Sequence, residues 1–253
     1  MKISIIVPTF NSSTTIQDNL DSIIVQKFNN CEILIIDNES TDDTIEIVKK
    51  NNLPNVKYIV EKDRGIFDAI NKGIKISSGD IISVLHSDDI YYDNGVLKKV
   101  THAFLSYNKN IVYGDLLYVK KNNLNSILRY WKSSPFKDGN FYRGWHPPHP
   151  SFFAKKSLFE IYGNYKNDIG NCADVELMYR FLQKNKIDFS YINSIFVKMR
   201  YGGKSNKKFT SIIEQNKQII KFLEINKNYY KIITFVMYKT INRILQFFVR
   251  PKF

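Results

Sequence analysis

Along the first ninety residues, short apolar runs alternate with longer stretches in which apolar residues recur every three or four positions. The runs at 3–8, 31–37, 56–60 and 80–85 have strand length, and the stretches at 13–26, 42–50 and 66–76 carry a helical apolar face. This alternation predicts parallel strands joined by right-handed crossovers, with helices on both faces of one sheet. Ser12 or Ser13 is expected to cap the first helix and Ser40 the second, whose Asp42 and Asp43 suit the positive end of a helix dipole. Beyond residue 91 the pattern is less regular. It predicts a helix at 94–107, strands at 111–119 and 126–131, and a loop at 133–150 rich in Gly, Pro and aromatics. Helices at 155–162 and 173–184, a strand pair within 188–200 and helical periodicity from about 207 onward complete the chain. No internal repeat or low-complexity linker interrupts it.

Composition narrows the class. A chain of 253 residues with 43% hydrophobic and 14% aromatic residues can bury a substantial core, which excludes a disordered protein. It fits one large α/β domain, with or without a C-terminal appendage. Cys31 and Cys172 are too few for a disulfide framework and lack metal-ligand spacing, so they read as core residues in a reducing compartment. Met1-Lys2 leads directly into a strand, and no run of 18 uncharged apolar residues occurs, so a cytoplasmic protein without a membrane span is expected.

The formal net charge is +13, and it is concentrated at one end. From Lys198 onward there are thirteen Lys and Arg against two acids, Glu214 and Glu224. A basic tail on a near-neutral body points to an anionic surface, phospholipid or nucleic acid; solvated lysines from compositional bias are the simpler alternative. Placed on a helix, Ile233, Met237, Ile241, Ile244 and Phe248 of the 229–250 segment form one stripe, with Lys231, Lys239, Arg243 and Arg250 on another side. Such a helix either lies in a membrane interface or packs on the protein's own core.

In parallel α/β sheets ligands bind beyond the carboxyl ends of the strands. Those ends here are Pro8-Thr9-Phe10-Asn11, Asp37-Asn38-Glu39-Ser40 and His86-Ser87-Asp88-Asp89. Adjacent acids just past a buried strand cannot both be ordinary core residues, because an unpaired buried carboxylate costs several kcal/mol or takes up a proton. They mark either a helix N-terminus or a site for a hard divalent cation. Asp37, at the end of another parallel strand and opening into the same crevice, favours the cation. No glycine-rich phosphate loop follows the first strand, so a dinucleotide-binding or P-loop protein is excluded, as is a sugar nucleotidyltransferase. A metal bridging a diphosphate would replace that device.

Four segments in this order resemble family 2 glycosyltransferases of the GT-A fold: Val7–Asn11, Ile35–Asp42, Glu61–Gly73 and His86–Asp89. The resemblance continues more loosely through Pro147–Phe153 and Ala173–Leu177 and fades after about residue 205. Bacterial enzymes that build O-antigens, capsules and exopolysaccharides are the most similar kind. The resemblance implies a Rossmann-like, mostly parallel central sheet flanked by helices. Residues 1–205 would form the GT-A domain, with a nucleotide-binding half (1–90) and an acceptor half (91–205). Residues 206–253 would be a basic, amphipathic helical extension.

It also implies roles. Pro8, Thr9, Asn11 and Asp37 would form the pocket for a uracil-like base, and Asp63, Arg64 and Gly65 would line base and ribose. Asp68, Asn71 and Lys72 would face the donor. His86-Ser87-Asp88 occupies the family's Asp-x-Asp position, departing from it at His86; Asp88 would be the main ligand of Mn²⁺ or Mg²⁺ and Asp89 an alternate or supporting one. Asp174 resembles the general base of an inverting transfer, with Glu176 its runner-up. His149 would touch metal, diphosphate or acceptor; beside these, Trp145 and Tyr142 read equally as sugar-stacking rings or as loop anchors. The implied substrates are a UDP-sugar and a saccharide acceptor carried on a polyprenyl diphosphate, with the enzyme peripheral on the inner face of the plasma membrane. Two rivals stand beside this reading: a nucleic-acid-binding protein, which leaves the strand-end acids unexplained, and a transferase homologue whose metal site has degenerated at His86.

Overall fold

The computed structural model describes residues 1–202, 209–224 and 229–251. The first half follows the predicted alternation: β1 (Ile3–Thr9), α1 (Ile16–Ile24), β2 (Cys31–Asp37), α2 (Thr44–Lys50), β3 (Val56–Val60), α3 (Ile66–Ile76) and β4 (Ile81–Val84). β2 and β4 pair in parallel on either side of β1, and β3 continues the sheet beyond β2. Every residue of β1 and β2 is buried, as expected of parallel strands covered on both faces. Ile3, Ile5 and Val7 of β1 join Ile33 and Ile35 of β2 in a core with Ile16 and Leu20 of α1 and Val48 of α2. On the other face, Ile6, Leu34 and Ile36 pack with Ala69, Ile70 and Ile74 of α3. α3 lies so close to β1 that a Cβ on Gly73 would sit 2.5 Å from Ile6 Cγ2, so any side chain there forces the helix off the sheet.

The second half contains β5 (Ile90–Tyr91), α4 (Val96–Tyr107), β6 (Ile111–Lys120), β7 (Asn123–Trp131), β8 (Phe152–Lys155), α5 (Lys156–Tyr162), α6 (Ala173–Tyr179) and β9 (Phe189–Arg200). β8 runs antiparallel to both β4 and β6 and joins the two halves into one mixed sheet, ordered β3-β2-β1-β4-β8-β6-β9-β5, with β7 also on β6. Residues 188–200, expected as a strand pair, instead hold one twelve-residue strand parallel to β6. The register with β6 slips around Gly114 and Asp115, opposite Asn193 and Ser194. There the β9 backbone crowds Gly114, whose Cβ would lie 2.7 Å from Ser194 O.

The expected serine caps are absent. The Ser12 hydroxyl lies 2.8 Å from that of Ser87, and it is the Ser12 carbonyl that accepts from Thr15 and Ile16. Ser40 turns to Asp37, and Asp42 satisfies the start of α2 by accepting from Thr44 N–H and from its hydroxyl. In each case another side chain takes the hydroxyl: Ser12 meets Ser87 of the loop after β4, and Ser40 meets Asp37 within its own loop.

α7 (Phe209–Phe222) and α8 (Tyr229–Phe248) close the fold. α7 lies on the turn before α6, where Gln215 donates to Asn171 O at 3.1 Å. α8 crosses the short turn Asn140–Arg143 and β7. It meets the body through Phe235 and Lys239, while Ile233, Met237, Ile241, Ile244 and Phe248 remain exposed. Of the tail's basic residues, Lys204, Lys207, Lys208, Lys227 and Lys252 lie outside the described residues. No helix among the described residues is long and apolar enough to cross a membrane.

Candidate active site

The His86–Asp89 segment follows β4 at the carboxyl edge of the sheet and is held through its backbone. Asn19 Nδ2 donates to His86 O (2.9 Å) and Asp89 O (2.7 Å), and the buried Arg200 donates to Asp88 O at 2.6 Å. Arg200 also reaches Asp18 and Lys121 O, so the end of β9 ties this loop to α1 and to the β6–β7 turn. With the main chain fixed, the two acids separate. Asp88 is partly exposed, whereas Asp89 is fully buried and neither of its carboxyl oxygens has a hydrogen-bond partner among the described residues. Burial, reinforced by Asp88 and opposed by Arg200, pushes the Asp89 pKa well above the usual carboxylate range. One acid of the pair is thus a core residue after all, in a site that favours its protonated form.

Two further histidines and a second carboxylate gather around His86. The His86 and His149 rings lie 5.9 Å apart, and His149 Nε2 is 2.8 Å from the Tyr165 hydroxyl. His146 sits edge-on to Trp131, and its Nδ1 is 3.0 Å from Pro147 O. Asp174 stands in the first turn of α6 with Oδ1 enclosed and unpartnered among the described residues. Burial raises the Asp174 pKa, against the pull of His146, His86 and Lys239. The imidazoles move the other way: burial, then His86, takes His149 down to about 3, and burial, then Lys239, takes His146 down to about 4. At neutral pH both rings are uncharged, and they surround a carboxylate disposed to accept a proton.

The sequence motifs for the donor side form the rim. Pro8 and Thr9 are buried, with Thr9 Oγ1 3.3 Å from Ile36 O. Asp37 accepts from Ser40 N (2.8 Å) and Ser40 Oγ (2.6 Å), and Asn11, at φ +49°, bonds to Ser40 and Thr41. Asn38 takes the Asp63 N–H, and Asp63 takes the Gly65 N–H. Gly65, at φ +132°, opens α3 in a conformation that disfavours any other residue. Arg64 is solvent-exposed and pairs with Asp68 at 3.3 Å, and Lys72 holds Glu61 and Lys62 O. Both ends of the Asn71 amide are engaged with the Tyr165 backbone, at 2.8 and 3.0 Å.

Glu176 is placed as an anchor. It pairs with Lys166 and Arg180, each at 2.8 Å, and Arg180 also donates to the carbonyls of Tyr162, Gly163 and Asn164. Trp145 packs with Tyr113, Phe136 and Phe141, and the Tyr142 hydroxyl meets that of Tyr179. Sequence reading missed His146, Tyr165, Asn19, Arg200 and the inward turn of Lys239. None lies in a motif; His146 alone carried a signal, as a histidine beside Trp145 in a stiff proline loop.

Among the described residues no three His, Cys, Asp or Glu side chains converge as a closed metal shell. Asp88 with a neutral imidazole supplies a partial donor set. That suits a hard cation whose remaining ligands are substrate phosphates and water.

Comparison with known proteins gives one family. The model described as glycosyl transferase family 2 matches residues 4–165. A PGL/p-HBAD biosynthesis glycosyltransferase of Mycobacterium bovis is 27% identical over 212 residues, 80% of this chain and 78% of that protein. An uncharacterized glycosyltransferase of Rickettsia conorii is 34% identical over 143 residues, 55% of this chain but 23% of its own length. Among solved structures, S. aureus TarS 1–349 superposes with a TM-score of 0.69 at 20% identity, covering 100% of this chain and 76% of that one. The mannosyltransferase PcManGT of Pyrobaculum calidifontis, solved with GDP-Man and Mn²⁺, gives 0.65 at 16% identity over 95% of this chain and 69% of its own.

Proposed function

The chain belongs to glycosyl transferase family 2, and from that premise we propose that it transfers a sugar from a UDP-sugar to a saccharide hydroxyl with inversion. The observation that carries the reading is Asp174. Its enclosed, unpartnered oxygen and raised proton affinity, facing His86 at the end of β4, suit a general base at a donor site. The acceptor oxygen attacks the anomeric carbon, its proton passes to Asp174, and the bond from that carbon to the diphosphate oxygen breaks on the opposite side. Glu176, spent on Lys166 and Arg180, is the weaker candidate.

Asp88, with His86 beside it, would hold Mn²⁺ or Mg²⁺ against the donor diphosphate. The cation supplies charge neutralisation for the leaving group. His86 in place of a carboxylate weakens the grip on the free ion, so binding is coupled to the nucleotide. Thr9, Asn11 and Asp37 would frame the base, Asp63 to Gly65 the ribose, and Asp68 and Lys72 the donor. Asn71 serves them by clasping the Tyr165 segment to α3. UDP as the nucleotude carrier draws support from TarS, which was solved with UDP and with UDP-GlcNAc.

The acceptor in this reading is a lipid-linked saccharide in surface-polysaccharide synthesis, met at the inner face of the membrane. The exposed stripe Ile233, Met237, Ile241, Ile244 and Phe248 supports it, since α8 turns Lys239 toward the body and leaves its apolar side outward. The test is a panel of nucleotide-sugars with and without Mn²⁺, following release of nucleoside diphosphate. Metal-stimulated turnover of one donor, lost in Asp88→Ala, supports the proposal. No turnover together with no UDP binding by calorimetry removes the UDP assignment.

A further inference from the structure

Arg64, Arg180 and Arg200 each pair with a carboxylate. Arg129 of β7 pairs with none among the described residues, although it is only 6% exposed and its Nε has no hydrogen-bond partner. Its guanidinium lies 3.8 Å from the ring centre of Tyr118, directly opposite on β6. Trp131 and Phe247 of α8 stand at 5.9 and 5.8 Å. Cation–π attraction returns only part of what burying a charge costs, and arginine does not escape that cost by giving up its proton. α8 brings a second cation instead of an acid. Arg243 stands one helical turn before Phe247 on the same side, half-buried and without an ion pair among the described residues. Burial pulls the Arg129 pKa down and Tyr118 pulls it back, while Arg243 adds repulsion. The cluster borders the catalytic pocket. Trp131, on the same face of β7 as Arg129, meets the His146 ring at 5.2 Å, and Tyr201, edge-on to Tyr118 at 6.4 Å, directly follows the Arg200 that holds Asp88 O.

We propose that Arg129 and Arg243 form a binding site for the phosphate or diphosphate of a lipid-borne ligand, whose chain lies along α8. Two guanidiniums with no acid between them suit a phosphate ester, which accepts paired, charge-assisted hydrogen bonds from each planar fork. The lipid chain follows from the helix. Arg243 and Phe247 stand between the inward face, marked by Phe235 and Lys239, and the exposed stripe of Ile241, Ile244 and Phe248. A head group held by Arg243 therefore leaves its tail beside that stripe, in the position of a chain entering from a membrane interface. Phe247 is the cover over Arg129. It is 46% exposed and one residue from the end of α8, so a shift of the last helical turn admits the anion. Naming the ligand as the acceptor's own carrier lipid rests on the lipid-linked acceptor proposed above; a membrane phospholipid offers the same chemistry at the same place.

Flotation with phosphatidylcholine vesicles reads this without donor or metal. The vesicles are plain, doped with polyprenyl phosphate, or doped with phosphatidylglycerol to the same charge. The wild type floats with doped vesicles, and Arg129→Met lowers that partition roughly tenfold. A preference for polyprenyl phosphate supports the carrier lipid as ligand; equal binding to both dopants supports the site and assigns it to membrane phospholipid. Partition of Arg129→Met equal to wild type with both dopants overturns the proposal. Melting gives a second reading. Arg129→Met melts no lower than wild type, because it removes a buried charge without a counterion, and inorganic pyrophosphate added without metal raises the melting temperature of the wild type alone. An equal rise in both proteins overturns the site, and a much lower melt of the variant with unchanged flotation makes Arg129 a packing residue. Should Arg129→Met fail to fold, Arg243→Gln at the half-buried position shows the same loss of partition, and no loss there overturns the pair. A chain that turns over its donor but floats independently of Arg129 keeps the transferase reading and loses this one. A chain that floats through Arg129 and fails the donor panel does the reverse.

Discussion

The two ends of the parallel strands are built to opposite rules. At the amino edge, Glu32 is buried, yet every oxygen is used: Ser4 Oγ at 2.5 Å, Ser78 N at 2.6 Å, Ser78 Oγ at 2.8 Å and Lys2 Nζ at 3.3 Å. Burial pushes the Glu32 pKa up, but the hydrogen bonds outweigh it and hold the carboxyl down at about 2. At the carboxyl edge, Asp89 and Asp174 are enclosed with oxygens left unpartnered among the described residues, and both move upward. At the carboxyl edge Asp37 is satisfied by Ser40, but Asp89 and Asp174 are left wanting in a way that nothing among the described residues of the amino edge matches. An unpartnered buried carboxylate destabilises the fold, and it persists where a substrate proton or a ligand supplies the missing partner.

The widest break in this comparison is expected at Asp174. Asp174→Asn removes the proton acceptor and keeps the shape, so kcat falls roughly a thousandfold. Circular dichroism and the melting temperature stay near wild type, because no hydrogen bond of Oδ1 is lost. A lowered melting temperature with an unchanged kcat would move Asp174 to the structural side. Next comes the pair of adjacent acids. Asp88→Asn lowers metal-stimulated turnover roughly a hundredfold. Asp89→Asn changes it by no more than about threefold and leaves the melting temperature level or higher, since a neutral amide replaces an acid whose charge is disfavoured there. Equal losses at both positions would mean that Asp89 turns outward when substrate binds.

How much of this was legible depends on whether the signal was local. The strands and helices of the first ninety residues follow their apolar periodicity closely, and the strand-end acids announced the crevice through position alone. The serine caps misled because Ser12 finds Ser87 in another loop and Ser40 finds Asp37 just before it, so neither hydroxyl is left for its helix. β5 escaped notice because two residues carry no period, and the twelve residues of β9 were expected as two strands rather than one. Arg200 and Lys239 are invisible to any pattern. Lys239 lies 65 residues beyond Asp174 on what reads as a solvated basic stripe, and only the packing of α8 turns it inward. The family was readable in the motifs; the side chains packed around Asp174 are products of tertiary folding.

The smallest effect belongs to the amino edge, and it is purely one of stability. Glu32→Gln keeps the shape and loses the charge that Ser4, Ser78 and Lys2 converge on. A carboxyl held at about 2 instead of its ordinary 4.5 contributes about 2–3 kcal/mol at neutral pH. The sign follows from the folded value being the lower one: the contribution is complete above about 4.5 and drains away as pH falls toward 2. Urea midpoints of wild type and Glu32→Gln should therefore differ most at pH 7 and converge as pH drops through that window, while kcat at pH 7 is the same for both. A gap that stays constant down to pH 3 would assign the loss to packing and not to charge. A fall in kcat would mean that strain at the amino edge travels along β1 and β2 to the catalytic end, and that the two edges are not independent.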